Sequence, residues 1–162
     1  MRRQLAVLAL LVLVGLGTSC QGDGGAGAGD FPGVWQYQVG SFSFVNCFTL
    51  SRTVDLTRSG FQIVDQAGAL VRINPDGCRF TLLRTTATHA DGVAGEECTV
   101  TSSDGLGNPL TTRYRLKSLV LELRPDDASQ LHEVFFLDAE NTSTMGTYSC
   151  EITGSNTLDR AP

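Results

Sequence analysis

Residues 111–124 read TTRYRLKSLVLELR, and their alternation decides the fold. Tyr114 and Leu116 hold even positions between Arg113, Arg115 and Lys117, whereas Leu119, Leu121 and Leu123 hold odd ones. A strand sends successive side chains to opposite faces, so each half reads as a half-buried strand and the phase flips midway. One inserted residue near Lys117-Ser118 would restore the facing, which predicts a β-bulge or a sharp bend there. The two-residue period continues outward in both directions. Trp35, Tyr37 and Val39 alternate with Gln36 and Gln38, and Cys78, Phe80 and Leu82 alternate with Arg79 and Thr81. Tyr148, Cys150 and Ile152 alternate with Ser149, Glu151 and Thr153 in a closing strand, which leaves 156–162 as a short tail. The continuous VFFL at 134–137 suggests burial on both sides. Turn chemistry separates the runs at Arg58-Ser59-Gly60, Ala67-Gly68, Asn74-Pro75-Asp76-Gly77, Pro125-Asp126-Asp127 and 141–146. No window sustains a 3.6-residue period, and 128–133 has room for one helical turn at most. About eight to ten short strands joined by tight turns predict an all-β fold. The expected arrangement is an antiparallel up-and-down meander closing into a barrel, with an open β-sandwich as the alternative.

The chain has 162 residues, 12 basic and 17 acidic, for a net charge of −5. Without Arg2 and Arg3 the balance is 10 to 17, or −7. Lys117 is the single lysine. Such a surface repels phosphate backbones, so no nucleic-acid partner is expected.

Arg2 and Arg3 precede an apolar run at 5–16, LAVLALLVLVGL. As a helix it would reach about 18 Å, too short for a hydrocarbon core of about 30 Å, and it has the flanks of a signal peptide. Gly17-Thr18-Ser19-Cys20 comes next and resembles the lipobox of bacterial lipoproteins. The position three before the cysteine, usually Leu in that family, is Gly17 here. The resemblance implies cleavage before Cys20, a diacylglycerol on its thiol, and a membrane contact through that lipid. Gln21 in the next position resembles an outer-membrane address. Residues 21–30, QGDGGAGAGD, contain nothing larger than alanine that is apolar, and read as a flexible tether with a span of about 18 Å. Three regions result: 1–19 signal peptide, 20–30 lipidated cysteine and tether, 31–162 β-domain.

Cysteine arithmetic agrees with that division. The five cysteines are Cys20, Cys47, Cys78, Cys98 and Cys150. Four in an exported domain can pair, and lipidation would consume the fifth. Cys78–Cys98 with Cys47–Cys150 is the favoured pairing. The second bridge suits a closed barrel in which an early strand neighbours the last. Cys47–Cys78 with Cys98–Cys150 is the alternative. No Cys-x-x-Cys is present and neither histidine lies near a cysteine, so no metal is expected.

Gly33-Val34-Trp35 opens the domain, within the longer stretch GVWQYQVGSFSFV at 33–45. A Gly-x-Trp at the first strand resembles the lipocalin and avidin barrels, and Gly33, Trp35, Gly40 and Ser41 match the avidin opening. The resemblance implies an eight-stranded antiparallel barrel, with Trp35 plugging its floor and Ser41 at a ligand-contacting position. Tyr37 stands where avidins place a ligand-contacting Asn, and the later pocket tryptophans are missing, since Trp35 is the only one. The resemblance therefore carries architecture, without a biotin site. Trp35, Tyr37 and Ser41 remain the candidate ligand contacts.

Catalytic motifs are missing from the sequence. There is no Gly-x-Ser-x-Gly, P-loop, Gly-x-Gly-x-x-Gly or His-Glu-x-x-His. His132 and Glu133 are adjacent on a strand, so they would face opposite ways. Glu96-Glu97 and Asp126-Asp127 read as solvated loop pairs. Neither an enzymatic activity nor a cofactor is expected. Two readings lead for a lipid-anchored envelope domain, with a secreted enzyme of unknown class as the minor alternative. One is a non-catalytic structural or accessory module, its interior filled by its own eight phenylalanines. The other is a module binding a small apolar ligand or an envelope protein partner. The sequence leans to the first, and an internal cavity of a few hundred Å³ would favour the second.

Overall fold

A computed structural model describes residues 30–47, 52–103 and 107–162. Cys20, the signal peptide and the tether at 21–29 lie outside the described residues. Among the described residues, eleven strands succeed one another: β1 Gly33–Val39, β2 Ser41–Val45, β3 Arg52–Asp55, β4 Gly60–Gln66, β5 Ala69–Ile73, β6 Arg79–Arg84, β7 His89–Gly92, β8 Glu97–Ser103, β9 Pro109–Arg124, β10 Asp127–Ser143 and β11 Gly146–Arg160. All pairings are antiparallel. Eight strands form a closed hydrogen-bonded ring in the order β1-β4-β5-β6-β7-β9-β10-β11, and β11 returns to β1. The meander expected from the alternation is the observed architecture.

Three strands outgrow the ring. β9, β10 and β11 are 16, 17 and 15 residues long, against a usual five or six. Near Val120, β9 pairs with β7, and from Pro109 to Arg115 it pairs with β8. The end of β11 pairs with β1, and its middle pairs with β2. The far halves of the long strands therefore continue as a six-stranded sheet, β8-β9-β10-β11-β2-β3, projecting from one end of the ring.

The phase flip in 111–124 keeps one face inward along that whole length. Phe136 pairs with Ser118 and Leu137 with Leu116, so Lys117 is the extra residue of a bulge. Thr112 and Leu116 are buried on that face before it, and Leu119, Leu121 and Leu123 face the ring interior after it.

The segment 128–133, with room for one helical turn at most, belongs to β10. Two sequence expectations are corrected. The VFFL run is not buried on both sides: Val134 is 41% exposed while Phe135 is buried, since β10 has ring interior on one face and solvent on the other. The closing strand does not stop before 156, because β11 runs to Arg160 with Asn156 and Leu158 buried. Gly154 and Asn156 interrupt the apolar row and conceal its continuation.

The core fills the ring with Phe31, Trp35, Phe61, Ile63, Phe80, Leu82, Leu121, Leu131 and Leu158. Trp35 is fully buried and donates from its indole Nε1 to the Phe31 carbonyl at 2.9 Å. Arg160 lies over the Trp35 ring, and its guanidinium also donates to the Asp30 and Pro32 carbonyls. This latch closes the ring end opposite the extension. Gly60 crosses β1 so closely that a Cβ would strike the Trp35 carbonyl oxygen.

The structure joins Cys47 to Cys150 (S–S 2.04 Å) and Cys78 to Cys98 (2.12 Å), the pairing that the sequence favours. Two such bridges fit an oxidising, exported environment.

Ala67 and Gly68 link β4 to β5 with φ of 53° and 87°. Two positive φ values in a two-residue hairpin mark a type I′ turn, where Asn is favoured over Ala. Replacing Ala67 with Asn is expected to stabilise the fold by about 1 kcal/mol. Urea unfolding at constant slope measures it, and an unchanged midpoint would refute the turn assignment.

Candidate functional site

The inward faces of β5 and β10 each carry a charge among apolar neighbours. On β5, Leu70 and Arg72 share the inner face; on β10, Leu131, Glu133 and Phe135 do. Arg72 is 6% exposed and Glu133 is fully buried. Their opposite charges meet inside the ring, with Arg72 Nη1 2.9 Å from Glu133 Oε1. Two side chains satisfy the other carboxylate oxygen. The Tyr37 hydroxyl donates to Glu133 Oε2 at 2.8 Å, and Asn156 Nδ2 donates to it at 3.0 Å. Arg72 Nη2 donates to the Tyr37 oxygen at 3.1 Å. Asn156 Oδ1 accepts from the Ser41 backbone N–H at 2.9 Å, which ties the network to β2.

Aromatic rings frame this cluster. The Arg72 guanidinium lies 4.2 Å from the Phe61 ring centroid and 5.9 Å from that of Phe135. Tyr37 meets Phe61 edge-on at 5.9 Å. Burial pushes the Tyr37 phenol far above its usual range, although the Arg72 charge pulls the other way. The phenol therefore stays protonated and keeps its hydrogen bond to Glu133.

Above the cluster, where the ring passes into the extension, lies a cavity of about 310 Å³. Its walls are mostly aromatic and aliphatic, among them Phe42, Phe44, Leu56, Phe80, Phe135 and Ile152. Tyr37 and Arg72 supply polar wall, and Asn74, Asp76 and Ser59 also line it. Two buried polar atoms of the lining residues have no hydrogen-bond partner: Arg72 Nε and Asn74 Oδ1. Buried polar groups are normally paired, so these two shielded atoms are exceptions at the edge of the cavity.

A second hollow of about 830 Å³ lies along the inner face of the extension, walled by the Cys47–Cys150 bridge, Leu110, Tyr148 and Met145. Phe44 and Tyr114 border both spaces. Met145, at the β10–β11 turn, is 91% exposed. The outer face of the extension is polar, with Arg113 2.5 Å from Glu97 and Lys117 2.8 Å from Asp138.

Of the residues singled out in the sequence, Tyr37 lines the cavity, while Trp35 is packed at the latched end and Ser41 is exposed with only its N–H tied to the network. Cys20 lies outside the described residues. His132 is exposed and Glu133 buried, on opposite faces of β10. Glu97 and Asp126 are exposed and paired with Arg113 and Arg124. Among the described residues, no group of three or more His, Cys, Asp and Glu could hold a metal ion.

Sequence reasoning misses Arg72, Glu133 and Asn156. A usable signal exists for the first two. Each is a charge on the inward parity of an apolar strand, and the charges are opposite. Asn156 gives no such signal, because the apolar row breaks before it. No protein-family model, curated protein or solved structure matches this chain.

Proposed function

We propose that this domain is an exported, lipid-anchored, non-catalytic binding module of the bacterial cell envelope, and that it holds a small amphipathic ligand where the ring meets the extension. The cavity of about 310 Å³, apolar-walled with Tyr37 and Arg72 among its lining, carries the reading. Its size lies at the lower end of ordinary small-ligand sites, and its wall has the usual make-up, apolar with a few fixed polar groups. The filled-interior, structural reading favoured by composition loses ground on that observation. The anchor is Cys20, supported by the lipobox-like 17–20 and by the four other cysteines being paired.

Mass spectrometry of the protein purified from its own envelope tests the ligand. A native mass exceeding the denatured mass is expected, with the difference equal to the bound molecule. Equal masses would support the structural reading instead. For the anchor, Cys20→Ser is expected to move the protein out of the membrane fraction, and unchanged partitioning would overturn lipidation.

A further inference from the structure

The shape of the ligand, which rests on the binding reading above, follows from how the two hollows meet. Their linings succeed one another without a break on three strands. On β10, Phe135 and Leu137 wall the cavity at the ring junction, and Ala139, Asn141 and Ser143 wall the hollow of the extension. On β11, Ile152 walls the first space, and Cys150 and Tyr148 wall the second. On β9, Tyr114 borders both, and Thr112 and Leu110 continue the second. Alternate residues share a face, so no inward side chain of these strands stands between the two linings. The two spaces form one trough. From Phe135 to Ser143 it runs about 27 Å, at about 3.3 Å per residue.

Burial changes along the same rows. On β9, Leu116, Leu119, Leu121 and Leu123 are buried, whereas Tyr114 and Leu110 are half-buried. Phe42, Phe44, Leu137 and Tyr148 are half-buried on the trough as well. Apolar surface left open in a continuous strip marks a binding groove. Met145 adds an exposed apolar lip at the tip of the extension.

The occupant of such a strip is long, and apolar along its length. A compact molecule would leave most of the strip in water. An extended peptide matches the length but not the chemistry. The trough is a side-chain face, and the backbone groups of β9, β10 and β11 are spent on their own pairings. A peptide lying there would bury its N–H and C=O groups without partners. An alkyl chain has no such groups. Its polar end belongs at the tip, which opens to solvent beside Ser102, Ser143 and Thr147. At the inner end, Arg72 is already paired with Glu133 at 2.9 Å, and the Tyr37 hydroxyl donates to the same carboxylate. We propose that the trough holds a long-chain aliphatic amphiphile, its tail end against Phe42 and Phe135 and its head at the tip of the extension.

The test uses the mature chain from residue 20 with Cys20→Ser, exported to an oxidising compartment behind a non-lipoprotein leader. Equilibrium dialysis compares octanoate, decanoate, dodecanoate and hexadecanoate, each below its micellar concentration. An extended chain advances about 1.2 Å per bond, so hexadecanoate reaches about 18 Å and stays within the trough. Each methylene taken out of water is worth about fourfold in affinity. Hexadecanoate is expected to bind at least a hundredfold more tightly than octanoate. Leu110→Trp and Ser143→Trp, on neighbouring strands, each fill the outer part of the trough away from the ring core. Each is expected to cut that ratio at least tenfold while leaving octanoate within twofold. A ratio unchanged in both variants would put the chain elsewhere and overturn the trough. Equal affinity from octanoate to hexadecanoate overturns the long chain and leaves a small-ligand module standing. No binding at any length also overturns the long chain, and the comparison of native and denatured masses then decides the module.

Discussion

Replacing Glu133 with alanine is expected to cost about 3–5 kcal/mol, a large part of the 5–15 kcal/mol that holds a typical domain together. The loss has two sources. Arg72, 6% exposed, would keep its charge with no counter-ion. The Tyr37 hydroxyl and the Asn156 amide would each lose their acceptor at Oε2. The pair as a whole is a different matter. Bringing two charges into the ring costs desolvation, so the joint replacement Arg72→Met with Glu133→Leu is expected to fall much closer to wild type than either single change. A double-mutant cycle by urea unfolding separates the two cases. A Glu133→Ala cost under about 1 kcal/mol would mean that the ion pair is solvated after all. The same cluster sets an alkaline limit. The Tyr37 phenol is raised by burial, so the unfolded chain releases that proton near pH 10 while the folded chain holds it. Stability is full below pH 10 and falls as pH rises above it. In a spectrophotometric titration, one of the three tyrosines should ionise only with unfolding.

Removing the Cys47–Cys150 bridge is expected to be the other large loss. It closes a span of 103 residues, which corresponds to about 4.7 kcal/mol of chain entropy before native strain is subtracted. Cys78–Cys98 spans 20 residues and corresponds to about 3 kcal/mol. The longer bridge also ties the end of β2 to β11 beside the hollow of the extension. Pairwise replacement by alanine, with thermal unfolding as the readout, should rank Cys47–Cys150 above Cys78–Cys98. The reverse order would show that local packing outweighs loop length in this fold.

The sequence carries its fold in the alternation and conceals its site in the exceptions to it. The bulge at Lys117 is readable because two apolar rows of opposite parity adjoin within one strand. The class and the meander are readable because turn residues punctuate nearly every strand. Closure of the ring is an expectation only, since the β1–β11 pairing joins Trp35 to Arg160 and no local pattern encodes it. The extension is hidden for a related reason. Strand length alone does not say that one half of β9 pairs with β7 and the other with β8. The cluster of Arg72, Glu133 and Asn156 is hidden because polar residues in an apolar row look like the end of a strand. A buried network makes the same letters interior.

The Arg160 latch has a consequence for the order of events during export. A chain that crosses a membrane N-terminus first delivers Phe31 and Trp35 early and their partners on β11 last. The β4–β5 and β5–β6 hairpins can form as they emerge, since their strands are neighbours in sequence. The ring has to wait for residue 160. On the export proposed above, folding to the native state would follow translocation, dominated by distant contacts, and such topologies are slow to form. Until β11 arrives, the side of the first strand that it covers is an open edge, available for mispairing with other chains.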